Sequence, residues 1–141
     1  MNVQKELMRI PDFGNEEDGI FAKEQKEIEN MKKCILMVAG AATMKLKAGL
    51  QEEQEIIMNI ADMAIETFVA ESTLLRVIKL TDKQGEENSK VQVTMMRCYL
   101  NDAIDKVAKC GNEAINAFAE GDEQKMMLLG LKRFTKSDSF N

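Results

Sequence analysis

From Glu55 to Leu80 the apolar residues recur at the α-helical period. Ile57, Ile60, Ala64, Phe68, Leu75 and Ile78 fall at steps of three, four and seven, and Met63, Thr67, Ala70, Leu74 and Val77 widen the stripe. The pattern predicts one long helix covered on more than one side. Asn59, Asp62, Glu66, Thr73, Arg76 and Lys83 occupy the opposite arc, which is predicted to face water or a polar partner. A second periodic stretch, about Gly19 to Lys47, places Ile28, Met31, Ile35, Val38, Ala42 and Leu46 on one stripe, with Asn15 or Asp18 available as its N-cap. A third, to about Ala119, carries Val93, Met96, Leu100, Ile104, Val107, Gly111, Ala114 and Phe118. On its outer face Asp102 to Lys106 and Asp105 to Lys109 are acid-before-base pairs at favourable spacing.

Stop signals separate these stretches. Gly49 is expected to end the first helix, and Gln51, Glu52, Glu53 and Glu55 open the central one with negative charge at its positive dipole end. Lys79 and Lys83 close that helix before Gly85, and Glu86 and Glu87 open the next. Gly121-Asp122 then leads into a short apolar helix, MMLLGLKRF. Short turns make each neighbour antiparallel, so the fold predicted is all-α, an antiparallel bundle of three long helices and a shorter fourth over residues 19–134. Residues 1–18, which contain the lone Pro11 beside Asp12, Phe13, Gly14 and Asn15, read as a linker or docking arm. Residues 135–141 read as a flexible tail. Gly40, within Val38–Ala42, is expected where another helix packs unusually close.

Composition narrows the class further. A chain of 141 residues suits one core, and eight glycines, one proline and 5% aromatic residues favour long helices over a sheet. The net charge of -5 and the lack of any Lys/Arg run longer than two residues exclude nucleic acid as a partner and make membrane contact unfavourable. Three cysteines, none in a C-x-x-C pair, suggest neither a disulfide framework nor a zinc site and fit a reducing, cytoplasmic setting. The N-terminus lacks a signal-peptide core, and the longest apolar run, Cys34 to Ala42, is far short of the roughly 20 residues of a membrane span.

Candidate chemistry is sparse. With no histidine, Ser-His and Cys-His pairs and histidine-ligated metal sites are excluded. Asp62, Glu66 and Glu71 share one helix, yet di-metal bundles use Glu-x-x-His pairs on two helices, so solvated or interface carboxylates are expected and no metal site is assigned. Glu71 sits between Phe68 and Leu75 on the apolar stripe and needs a partner, for which Arg97 or a helix-end donor is the expectation. Of the 11 methionines, Met31, Met63 and Met96 fall on core stripes, where they are expected to fill the core. Met126, Met127, Leu128, Leu129 and Leu131 crowd beyond one stripe, so Met126, Met127, Leu128, Leu131 and Phe134 form a candidate interface. No catalytic or cofactor-binding residue is assigned, since no glycine-rich phosphate loop exists.

Asn59–Arg76 (NIADMAIETFVAESTLLR) and Tyr99–Lys136 (YLNDAIDKVAKCGNEAINAFAEGDEQKMMLLGLKRFTK) resemble the extra C-terminal region of bacterial acyl-CoA dehydrogenases similar to the very-long-chain type. PDFGNEEDG and ILMVAGAA extend that resemblance over roughly residues 10–136. The resemblance implies a helical bundle appended to a flavin-binding catalytic unit, in which FAD and the glutamate base of α,β-dehydrogenation in fatty acid β-oxidation belong to the missing part. It further implies packing against that catalytic domain and support of a homo-oligomer. On residues alone, a free-standing helical adaptor stays open.

Overall fold

The computed structural model describes residues 19–47, 49 and 53–135, and within them every regular element is helical. Helix α1 is Ala22–Leu46, α2 is Gln54–Gln84, α3 is Lys90–Phe118 and α4 is Gly121–Thr135, with a single 3-10 turn, Glu87–Ser89, between α2 and α3. The all-α bundle expected from the periodicity is the fold observed. The arm at 1–18, with the caps Asn15 and Asp18, and the tail at 136–141 lie outside the described residues. Thr135, expected in that tail, instead ends α4, where its hydroxyl donates to the Leu131 carbonyl.

α2 and α3 form the closest pair, α1 packs on both, and α4 packs on α1 and α3 without close backbone approach to α2. One core results, from Ile28, Met31, Cys34 and Val38 of α1, Ile56, Met63, Ala70 and Leu74 of α2, Leu100, Val107 and Ile115 of α3, and Leu131 of α4. The stripes predicted for α1 and α3 are the buried ones, apart from half-buried Leu46 and Val93. For α2 the prediction is corrected in part. Met63, Thr67, Ala70, Leu74 and Val77 of the predicted stripe point inward together with Ile56, Asn59 and Thr81; Ile60, Ala64, Leu75 and Ile78 are half-buried, and Ile57 and Phe68 are exposed. Asn59, assigned to the polar arc, is buried, because its step of three and four to Ile56 and Met63 leaves it no other direction.

Helix ends also differ in part. Gly85 does end α2, at φ 87, and Gly121 turns into α4 at φ 64, both left-handed conformations that glycine adopts without a Cβ clash. The first helix ends at Leu46, three residues before Gly49, with Lys47 at φ 46 as its C-cap, and its N-cap position is Phe21, without a side-chain cap bond. Lys106 turns toward Glu66 on α2 at 3.5 Å rather than pairing along its own helix.

Gly40 does not mark a close approach. A Cβ built there meets nothing within 4 Å, whereas one built on Gly111 would lie 2.8 Å from Leu131 Cδ1 and one on Gly130 would lie 3.1 Å from Met37 Sδ. The small residues that let helices close are therefore on α3 and α4. Gly40→Ala should accordingly stabilise the bundle by about 0.5–1 kcal/mol, the mid-helix difference between the two residues. A shift of the urea midpoint upward with unchanged slope checks this.

Candidate functional site

The candidate interface on α4 divides once the bundle is assembled. Met127 and Leu131 enter the core, Leu128 and Phe134 are half-buried against it, and Met126 stays exposed together with Leu129. A helix resting on two neighbours has room for only about half its circumference inward, so five apolar residues in six positions must leave some outside. The surface available on α4 is thus narrower than the sequence suggests, and Met126 and Leu129 are its apolar part.

The larger apolar face lies on α2, outside the candidate interface assigned from the sequence. Met58, Ile65 and Phe68 are 64%, 57% and 69% exposed, and Ile57 and Val69 are each 40% exposed. These residues sit on the side of α2 turned away from α1 and α3. A phenylalanine at that exposure gains little from its own fold, and the face is an apolar surface that the bundle leaves uncovered.

Three ion pairs join helices across the bundle with at least one largely buried end. Lys32 Nζ of α1 donates to Glu71 Oε2 of α2 at 2.5 Å, with both side chains mostly buried. Glu71 therefore has the partner its position requires, but it is Lys32 and not Arg97. Arg97 Nε instead donates to Glu24 Oε1 at 2.7 Å, and Glu24 is almost fully buried. Glu66 receives the Tyr99 hydroxyl at 3.2 Å and lies 3.5 Å from Lys106, which makes it half-buried, while Asp62 is exposed as expected. Burial foremost, then the Glu66 charge and this hydrogen bond, raises the Tyr99 phenol above its ordinary range.

Among the described residues no group of three acidic or cysteine side chains could hold a metal ion. The three cysteines are free. Burial pushes the Cys34 thiol up to about 12 from 9.0, so it stays protonated and packs as a small apolar group. Burial, then the charges of Asp62, Glu113 and Glu66, raises Cys110, while Cys98 is exposed. A cleft of about 410 Å³ lies beside the Glu24 to Arg97 pair, lined also by Ile20, Lys23, Thr94 and Cys98. No helix of the described residues is long and apolar enough to cross a membrane.

The comparisons with known proteins agree with this architecture. The family model "Acyl-CoA dehydrogenase, C-terminal domain" matches residues 30–133, most of the bundle. The chain belongs to the acyl-CoA dehydrogenase C-terminal domain family. A probable acyl-CoA dehydrogenase of Bacillus subtilis (strain 168) is 30% identical over 136 residues, which is 96% of this chain and 23% of the relative. A crystal structure of an acyl-CoA dehydrogenase complexed with FAD from Bacillus anthracis is 32% identical and superimposes with a TM-score of 0.83, over 99% of this chain and 23% of that one. The chain thus spans about a quarter of the length of the relatives it matches.

Proposed function

We propose that this chain is the appended helical domain of an FAD-dependent acyl-CoA dehydrogenase acting in fatty acid β-oxidation. It serves packing against the catalytic unit and contacts between subunits, and it supplies no catalytic residue. The observation that carries this reading is the asymmetry of coverage: nearly all of the chain, but only 23% of each relative, takes part in the match. The buried positions of the bundle are occupied by its own core, while α2 and α4 carry apolar side chains beyond what that core uses. A domain built in this way fits a scaffold role, since its surplus apolar surface suits a protein contact and its most buried charged side chains, Glu24, Lys32 and Glu71, are committed to interhelical pairs.

A chimera tests the reading. The Bacillus anthracis enzyme with its matching quarter replaced by this chain should retain FAD through purification and oxidise acyl-CoA, and the 141-residue chain by itself should do neither. Stoichiometric yellow flavin on the isolated chain, or a chimera that folds yet loses all activity while a simple deletion of the quarter keeps it, would overturn the assignment.

A further inference from the structure

The outward side of α2 carries a seven-residue repeat that its own bundle leaves unused. Ala61, Ile65, Phe68, Ser72 and Leu75 follow one another at steps of four, three, four and three, with Met58 and Lys79 continuing the series at either end. All are exposed except half-buried Leu75. That spacing is the seam of a coiled coil.

Along one flank of the seam Glu55, Asp62, Val69, Arg76 and Lys83 stand seven apart, and all five are exposed. The order is acid, acid, valine, base, base, antisymmetric about Val69. Glu55, Asp62, Arg76 and Lys83 form no ion pair with any described residue. Within one helix the opposite charges cannot meet, since Asp62 and Arg76 are about 21 Å apart along the axis and Glu55 and Lys83 about 42 Å, at about 1.5 Å per residue.

We propose that α2 pairs with α2 of a second copy of this chain, running antiparallel about a two-fold axis beside Val69. Antiparallel helices bring like flanks together, so Asp62 meets Arg76 of the second copy and Glu55 meets its Lys83, each pair occurring twice, while Ile65 and Phe68 close the apolar centre. A parallel pair would instead set this flank against the opposite one, Ile57, Ala64, Glu71 and Ile78, where the one charge, Glu71, is already paired with Lys32. The pairing deepens the subunit-contact part of the function proposed above and rests on it only for the oligomeric setting. It fails or stands on self-association alone, whereas the chimera is read out by flavin and turnover.

Sedimentation of the 141-residue chain over a concentration series tests it. Wild type is expected to dimerise, and Phe68→Asp, at an exposed position, to be monomeric with unchanged helix content. Asp62→Arg and Arg76→Asp should each weaken the dimer by at least about tenfold, because two symmetric pairs of up to about 1 kcal/mol turn repulsive. The double variant Asp62→Arg with Arg76→Asp restores both pairs in swapped form and should return to within about threefold of wild type. A chain that stays monomeric at every concentration overturns the proposal, as does a double variant no tighter than the singles. Dimers abolished by Met126→Glu but not by Phe68→Asp also overturn it and give the contact to α4. If the dimer is absent and Phe68→Asp loosens the chimera's catalytic part, the face belongs to that part instead.

Discussion

Leu131→Asp is expected to cost the domain at least about 4 kcal/mol, enough to unfold a bundle of ordinary stability. Leu131 is 1% exposed and stands against Gly111, where α4 closes on α3. Truncating a buried leucine costs about 2–5 kcal/mol, and a carboxylate left in that space has no donor within the apolar core to meet it. Leu129→Asp, two residues earlier on the same helix but 68% exposed, should stay within about 0.5 kcal/mol of wild type. Urea melts followed by circular dichroism give both values. Equal effects would mean that α4 does not seat on the bundle as described, and the distinction between its core and its contact residues would go with it.

That pair of variants also shows where sequence reading reached its limit. Periodicity alone marks Met126, Met127, Leu128 and Leu131 as apolar without saying which arc of α4 is inward. The same ambiguity affects α2. Its apolar residues run on both sides, so the arc through Ile57 and Phe68 and the arc through Ile56, Met63 and Leu74 both have helical spacing, and only packing against α1 and α3 selects the second. For α1 and α3 one side is clearly polar, and there the predicted stripe is the buried stripe. The surplus apolar arc of α2 is therefore the feature that carries most information about partners, and the one that propensity and pattern could least place.

Small residues behaved in the same way. Val38–Ala42 and Gly111 are equally permissive in the sequence, but close approach requires a bulky side chain opposite, and Leu131 supplies one at Gly111 while nothing does at Gly40. Charge partners were legible only as needs. The position of Glu71 on the apolar side of its helix demands a cation, yet its partner Lys32 lies 39 residues away on another helix, a pairing that no local spacing encodes. Glu24, adjacent in sequence to Lys23 and Gln25, carries no sequence sign of burial, and only the assembled bundle sets it in the cleft it lines with Arg97 and Leu100.

Arg97→Met should destabilise the bundle by about 3 kcal/mol, and the added change Glu24→Leu should recover most of that loss. Arg97 is half exposed, with a side-chain accessibility of 50%, so the attraction itself is screened. The weight of the pair lies at the other end. Glu24 has 6% side-chain accessibility, its Oε1 accepts the 2.7 Å bond from Arg97, and its Oε2 is buried without a hydrogen-bond donor among the described residues. Removing Arg97 withdraws the donor seen at this carboxylate and also the 3.4 Å bond from its Nη2 to the Ile20 carbonyl, which helps hold the start of α1 against α3. Leucine at 24 has no charge to leave stranded and can pack beside Ile28 and Leu100, so the double variant is expected near wild type, as replaced buried pairs often are. Thermal and urea unfolding of the two single variants and the double give the coupling directly. A loss under about 1 kcal/mol for Arg97→Met, the range of exposed pairs, would show that water already reaches Glu24 and that the cleft between α1 and α3 opens freely in solution.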